Sequence, residues 1–387
     1  MAAPSVSVPL LVPDLPDRDE LWPYLRRIDE SRHYSNFGPL VHELEQRFTA
    51  CFNERSGGAP VALTTVSSCT LGLELALGAL QLPPRSKVLV PALTFVATAT
   101  AVLRAGHLPV VADVDERSWA LTPEIAARAL READCRAVLP VATFGQPVPL
   151  PEWHRFEQAS GVPVLVDAAG AFGSQWLDAG GTLVFSLHAT KALSSGEGGL
   201  VVSTDAELIR RVRQMSNFGI NLDAGAAVPV GVSHLAGTNA KMSEYHAAVG
   251  LAAFDRWPRR APLRRERWLA QRARLDEAAD GQLIWQGGEA PAAPVLMSLR
   301  WSGAGRRDAL ERHCARLGVV TRRWYQPLLP RHALAPGMLQ RLATPVADML
   351  AEDLVGVPFF PDLECRQLDT IAQAVRLTVD EFRTLPA

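Results

Sequence analysis

The sequence predicts an α/β protein built on a mostly parallel sheet, and three observations carry that reading. Between about residues 60 and 220, short apolar runs alternate with helical patterns. Those runs are nearly continuous rather than alternating with polar residues, as strands buried on both faces must be. The stretches between most of them are long enough for a helix that crosses back over the sheet.

The elements follow in order. VALTTVS (Val61–Ser67) reads as a strand and LGLELALGAL (Leu71–Leu80) as the helix after it. Lys87–Ala92, Pro109–Val114, Ala137–Ala142 and Val162–Ala168 are further apolar strands. A helix opens at LTPEIAARALREA, with Thr122 accepting at its N-cap and Pro123 in its first turn, where a missing N–H costs nothing. TLVFSL and GLVVST lie too close together for a crossover helix, so at least one runs antiparallel to a neighbour. Asp205 caps the helix that starts at Ala206. Past residue 250 the chain turns arginine-rich, and RWPRRAPLRRERW (Arg256–Trp268), with its two prolines, reads as a hinge or a solvated helix face. The expected organisation is an N-terminal arm (1–37), a large domain (38–250) and a smaller C-terminal α+β domain (251–387).

Composition narrows the function. Apolar residues make up 48% of the 387, enough for a large core. Thirty-nine basic against 41 acidic residues leave a net charge of −2, which argues against a nucleic-acid partner. The five cysteines form no CxxC pair and suit a reducing compartment. The nine histidines show no metal-binding spacing, so no metal is expected. No stretch reads as a signal peptide or a membrane span, and a cytoplasmic location is expected.

One residue carries the chemistry. LVFSLHATKALSSGEGGLVV (Leu183–Val202) places a single ammonium, Lys191, between two apolar strands. Most lysines are solvated. A lysine desolvated there has its charged form disfavoured, and the neutral amine attacks aldehydes. Such a lysine suits a Schiff base with pyridoxal 5′-phosphate (PLP). That cofactor needs an ionised acid at its pyridine nitrogen, and Asp167 ends VPVLVDA at the carboxyl end of a strand, where open α/β sheets bind ligands. It needs a phosphate cradle, and Ser67, Ser68, Cys69 and Thr70 stand between a strand and a helix N-terminus. Ser186 offers another hydroxyl, and Phe95 an aromatic face for the ring. Each residue has an ordinary structural explanation as a cap, a turn or core. The set in this order on one sheet favours the cofactor.

At these residues the chain resembles the DegT/DnrJ/EryC1/StrS family of PLP-dependent sugar aminotransferases. The segments SNFGPLVHELEQRF, SSCTLGLELAL, VLVPALTFVATATAVLRAGHLPVVADVD, FGQPV, VLVDAAGAFGS, FSLHATKALSSGEGGLVV and GTNAKMSEYHAAVGLAAF carry the likeness, with a weaker echo at GVVTRRWYQPLL. The resemblance implies an aspartate-aminotransferase-like fold (fold type I) with a seven-stranded sheet. It implies Lys191 as the Schiff-base lysine, Asp167 at the pyridine nitrogen, Ser186, Thr70 and the Leu71 backbone at the phosphate, and Phe95 on the ring. Asn239 matches an asparagine that reaches the phosphate of a neighbouring subunit, which implies a homodimer with shared active sites. Tyr34 and Phe37 in RHYSNFGP, and Arg322, Arg323 and Tyr325 in TRRWYQP, are candidate substrate contacts. The implied reaction moves an amino group from an amino acid, by resemblance glutamate, to a nucleotide-linked keto-sugar.

Two positions depart from the family pattern. Cys69 stands where glycine is common, which requires a negative φ. Gly170 stands where glutamine or histidine usually approaches the cofactor's phenolic oxygen, a contact that water or His188 would have to supply. Other readings are a PLP-binding relative without turnover, and a sugar dehydratase, which would carry histidine in place of Lys191. A Rossmann dinucleotide site fits poorly, because GEGG opens no helix.

Overall fold

The computed structural model describes residues 8–178, 180–334, 337 and 339–383. The first seven residues of the expected arm lie outside them. In chain order the elements are α1 (Arg18–Ser31), α2 (Pro39–Asn53), β1 (Ala62–Val66), α3 (Cys69–Ala79), β2 (Lys87–Pro91), α4 (Ala97–Arg104), β3 (Leu108–Ala112), α5 (Pro123–Glu132), β4 (Cys135–Val138), α6 (Leu150–Ser160), β5 (Val166–Asp167), β6 (Thr182–Ser186), β7 (Gly199–Ser203) and α7 (Ala206–Ser216). Then follow α8 (Glu244–Ala278), β8 (Met297–Arg300), α9 (Arg306–Arg316), β9 (Gln340–Arg341), α10 (Pro345–Asp353), β10 (Leu354–Val357) and α11 (Cys365–Arg383).

The fold is α/β, as expected. β1, β7, β6 and β5 lie side by side, as do β4, β2, β3 and the short β9. Parallel bridges Val138–Val164 and Val141–Asp167 join β4 to β5 and make the two groups one surface. β7 is antiparallel to both β1 and β6, and the other pairings are parallel. Strand residues point alternately to the two faces. In β6, Leu183 and Phe185 join the core that contains residues of α2, α5, α6 and α8, while Val184 joins the one under α3, α4 and α7. Helices on both faces explain why these strands are apolar throughout.

Capping is as the sequence indicates at two helices. Thr122 accepts from Ile125 N–H, and Asp205 accepts from the Glu207 and Leu208 amides. A third cap comes from far along the chain. The buried Glu244 carboxylate accepts from Leu40 N–H and Val41 N–H, each at 2.9 Å, fixing the start of α2 against α8. Glu244→Ala leaves both amides unpaired in the interior. It is expected to cost about 2–3 kcal/mol, read as a lower midpoint of urea unfolding.

The hinge expected at Arg256–Trp268 is absent. That segment lies inside the 35-residue α8, prolines included. Its charge is a solvated face only in part, at the exposed Arg259, Arg265 and Arg267. Arg256, Arg260 and Arg264, each one turn apart, converge on Asp14 of the N-terminal segment at 2.7, 2.8 and 3.5 Å. A separate core forms in the C-terminal part from Trp268 and Leu275 of α8, Leu299, Leu310, Val355 and Val375, with Val8 added to it. There β8 and β10 pair antiparallel.

Candidate active site

The chemistry converges at the carboxyl ends of β5 and β6. Asp167 is the last residue of β5 and is 5% exposed. Thr98 Oγ1 donates to Oδ2 at 2.8 Å, and Ala169 N–H donates to Oδ1 at 3.1 Å. Thr98 is itself paired with Thr94 Oγ1 at 2.8 Å. Burial raises the Asp167 pKa above the ordinary carboxylate value. The Thr98 and Ala169 hydrogen bonds and the charge of Lys191 oppose that rise.

Lys191 sits in the turn between β6 and β7. The two strands extend toward it through Leu187 N–H to Gly198 O (2.9 Å) and Ala189 N–H to Gly196 O (2.8 Å), and Lys191 N–H closes on His188 O at 2.9 Å. Desolvation lowers the pKa of its amine, which Cys69 and Asp167 partly counter. At neutral pH more of this amine is therefore unprotonated than in a free lysine.

Both groups line one cavity of about 430 Å³, together with Cys69, Thr70, Phe95, Ser186, His188, Arg322 and Tyr325. Ser68 caps α3 by accepting from Leu71 N–H at 3.2 Å, so the Leu71 amide is already taken and its side chain is not part of the wall. The Cys69 and Thr70 amides meet no acceptor among the described residues, and they open α3 toward the cavity. Cys69 is not among the residues with positive φ, so its side chain costs no backbone strain. Burial pushes its thiol well above the ordinary pKa. Ser186 Oγ accepts from His188 N–H at 3.3 Å and keeps its own proton to donate. Phe95 leaves 56% of its surface uncovered, an aromatic face open in a cavity wall.

Gly170 has a local cause. A Cβ there would lie 3.3 Å from Gly145 N, so a long side chain is crowded by backbone. Beside this contact Tyr325 stacks on Phe144, with centroids 5.3 Å and planes 21° apart. Burial, and then the Asp167 charge, raise its phenol pKa and keep it protonated. His188 is held by Thr190 Oγ1 at 2.9 Å and faces Glu197 at 3.6 Å. The nearest acid to Lys191 in sequence thus serves the histidine.

Other sequence candidates lie elsewhere in this chain. Tyr34 stacks on Tyr245 (6.3 Å), Phe37 lies under the Arg213 guanidinium (4.0 Å), and Asn239 bridges to Asn217. None of the three lines the cavity. Arg323 is committed to Glu311 and Asp308. Sequence reading missed Thr98, in the first turn of α4, and Thr94, four residues earlier in the bend that leads into it, and also Trp324 and Glu197.

The residues fit PLP. An amine of lowered pKa, a fixed carboxylate, free amides with hydroxyls at a helix N-terminus and an uncovered aromatic face are the groups this cofactor needs. The model of the DegT/DnrJ/EryC1/StrS aminotransferase family matches residues 17–376. The chain belongs to that family. Solved structures agree. A Bacillus cereus ATCC 10987 protein assigned to the PLP-dependent aminotransferases is 27% identical, with 95% of this chain and 99% of that one covered and a TM-score of 0.84. DesI, solved in the presence of its TDP-sugar product, is 29% identical over 98% of this chain and 96% of its own, with a TM-score of 0.79. DesV of S. venezuelae, in complex with a ketimine intermediate, is 25% identical over 98% and 99%, also with a TM-score of 0.79. As a DegT/DnrJ/EryC1/StrS aminotransferase the protein is a PLP-dependent transaminase. Among the described residues no helix is long and apolar enough to cross a membrane, and no cluster of three or more side chains could hold a metal.

Proposed function

We propose that this aminotransferase moves an amino group from an amino acid, glutamate in the first instance, to a nucleotide-linked keto-sugar. The observation that carries the reading is the shared cavity of Lys191 and Asp167, with the open N-terminus of α3 in its wall. PLP, when bound, supplies an electrophilic aldehyde and an electron sink. Its phosphate would be held by the Cys69 and Thr70 amides, the Thr70 hydroxyl and Ser186, and its ring would lie against Phe95. Asp167, ionised, holds a proton at the ring nitrogen. Lys191 Nζ, once neutral, would take the α-proton of the donor and deliver it to the cofactor's C4′ within the same half of the cycle, and would run that transfer in reverse with the acceptor. His188 would stand beside the phenolic oxygen that Gly170 leaves without a side-chain partner. The TDP-sugar found with DesI supports a nucleotide-sugar acceptor.

Purified protein should be yellow, and borohydride should fix a phosphopyridoxyl group on Lys191, read by peptide mass. Glutamate should bleach the visible band, and labelled glutamate should pass its nitrogen to a nucleotide-linked keto-sugar. A visible band that no amino acid bleaches would overturn the reading.

A homodimer with shared sites belongs to the same proposal. Asn239 lies outside its own cavity, and Phe218, Leu222, Val230, Val232, Tyr34 and Tyr245 are exposed apolar side chains of the flanking segments. Asn239→Ala is then expected to weaken PLP binding by roughly tenfold, the worth of one hydrogen bond to a charged group. Its mass in light scattering should remain that of a dimer. A monomeric wild type would sink this part.

A further inference from the structure

Two adjacent arginines in TRRWYQP have opposite surroundings. Arg323 is neutralised by Glu311 and Asp308. Arg322 lines the cavity of Lys191 and meets no carboxylate within ion-pair distance among the described residues. The cavity's own acids are engaged elsewhere: Asp167 with Thr98 and Ala169, Glu197 with His188.

The Arg322 guanidinium is also held in place. Its backbone is pinned to β10 by Arg322 N–H to Gly356 O at 3.0 Å and Gly356 N–H to Arg322 O at 2.7 Å. Its Cζ lies 4.6 Å from the centre of the Trp324 ring, within the range of a cation–π contact. That indole needs Gly356, because a Cβ there would come within 2.4 Å of Trp324 Cδ1. Strand, glycine, indole and guanidinium form a stack that limits the side chain's freedom before any ligand arrives. Leu11, Val295 and Leu296 line the same cavity, at whose exposed edge Arg322 stands.

We propose that Arg322 is the oxyanion anchor of this pocket. Held on the Trp324 indole, it receives a carboxylate of the amino donor or a phosphate of the acceptor. A planar guanidinium suits either group, since both accept its N–H fork in pairs. The assignment rests on the transaminase reading of the cavity, because it takes the ligand to be the substrate of Lys191.

The test is calorimetric binding of two unreactive probes, glutarate and inorganic pyrophosphate, to PLP-loaded wild type, R322Q, R322K and R323Q. A loss of roughly 10- to 100-fold in affinity is expected for R322Q, the worth of a charge-assisted contact. R322K should fall between, keeping the charge without the fork, and R323Q should match wild type. A loss confined to glutarate places the donor's carboxylate on Arg322, and one confined to pyrophosphate places the acceptor's phosphate there. Equal binding by wild type and R322Q, or binding of neither probe by wild type, overturns the anchor. If binding depends on Arg322 while no amino acid bleaches the visible band, the anchor stands and the transaminase cycle falls. Gly356→Ala adds an independent arm. Displacing the indole should weaken the Arg322-dependent probe as R322K does, and unchanged binding would remove Trp324 from the proposal.

Discussion

Lys191→Ala is expected to abolish turnover, with a loss of roughly 10⁴-fold or more. Two functions disappear together. One is the nucleophilic amine that attaches the cofactor. The other is the base that moves the α-proton, for which roughly 10²–10⁴ is the ordinary worth. The fold should not suffer. Lys191 makes no side-chain hydrogen bond or ion pair to the rest of the chain among the described residues, and removing a desolvated amine relieves a burial cost. Circular dichroism and thermal midpoint should therefore match wild type, and borohydride should fix no cofactor. A small amine such as ethylamine should restore part of the proton transfer, which a merely structural lysine would not allow. Lys191→Arg should be equally inactive, because a guanidinium stays protonated at working pH. Turnover within tenfold of wild type in Lys191→Ala would remove this residue from the chemistry.

The main groups of the site were readable because each sits where local rules place it. Asp167 ends an apolar run, and the carboxyl ends of parallel strands are where such sheets open. Lys191 interrupts a strand pair that has no other charge before Glu197. The order of the strands was less legible. β9 is a two-residue strand, Gln340–Arg341, that joins the edge of β3 through contacts with no hydrophobic signal. The hinge reading of Arg256–Trp268 failed for a definite reason. It weighed Pro258 and Pro262 by local propensity alone. The prolines are four residues apart and share one side of α8, and the arginine stripe beside them closes on Asp14 more than 240 positions away in sequence. The same limit hid the roles of Arg322 and Arg323. Identical neighbours in sequence, they differ in what the fold brings to them: Glu311 and Asp308 to Arg323, the cavity and the Trp324 ring to Arg322. Thr98 was passed over because a threonine in an alanine-rich helix looks like packing until Asp167 is placed beside it.

Asp167→Asn is the second large effect, and it separates function from stability by sign. An amide cannot hold the ring nitrogen protonated, so the charge that develops during proton abstraction loses its counterpart. A drop of roughly 10²–10³-fold in kcat is expected, the usual worth of one preorganised electrostatic partner. The apoprotein should move the other way. Burial raises the carboxyl pKa of Asp167 above its ordinary 3.8, so the ionised form costs folding stability. That cost is present at neutral pH and fades as pH falls through the folded-state pKa toward 3.8. The amide keeps the geometry. Its oxygen can still accept from Ala169 N–H, and its NH₂ can donate to Thr98 Oγ1, whose proton then turns to Thr94. Asp167→Asn apoprotein should thus melt at or above wild type at pH 7, with the two curves converging in acid. The gain should reverse once PLP is bound, because only the wild-type carboxylate stabilises the protonated ring. A variant that is less stable than wild type without cofactor and unchanged in kcat would show Asp167 to be a structural acid, held by Thr98 and Ala169 for the sake of the turn alone.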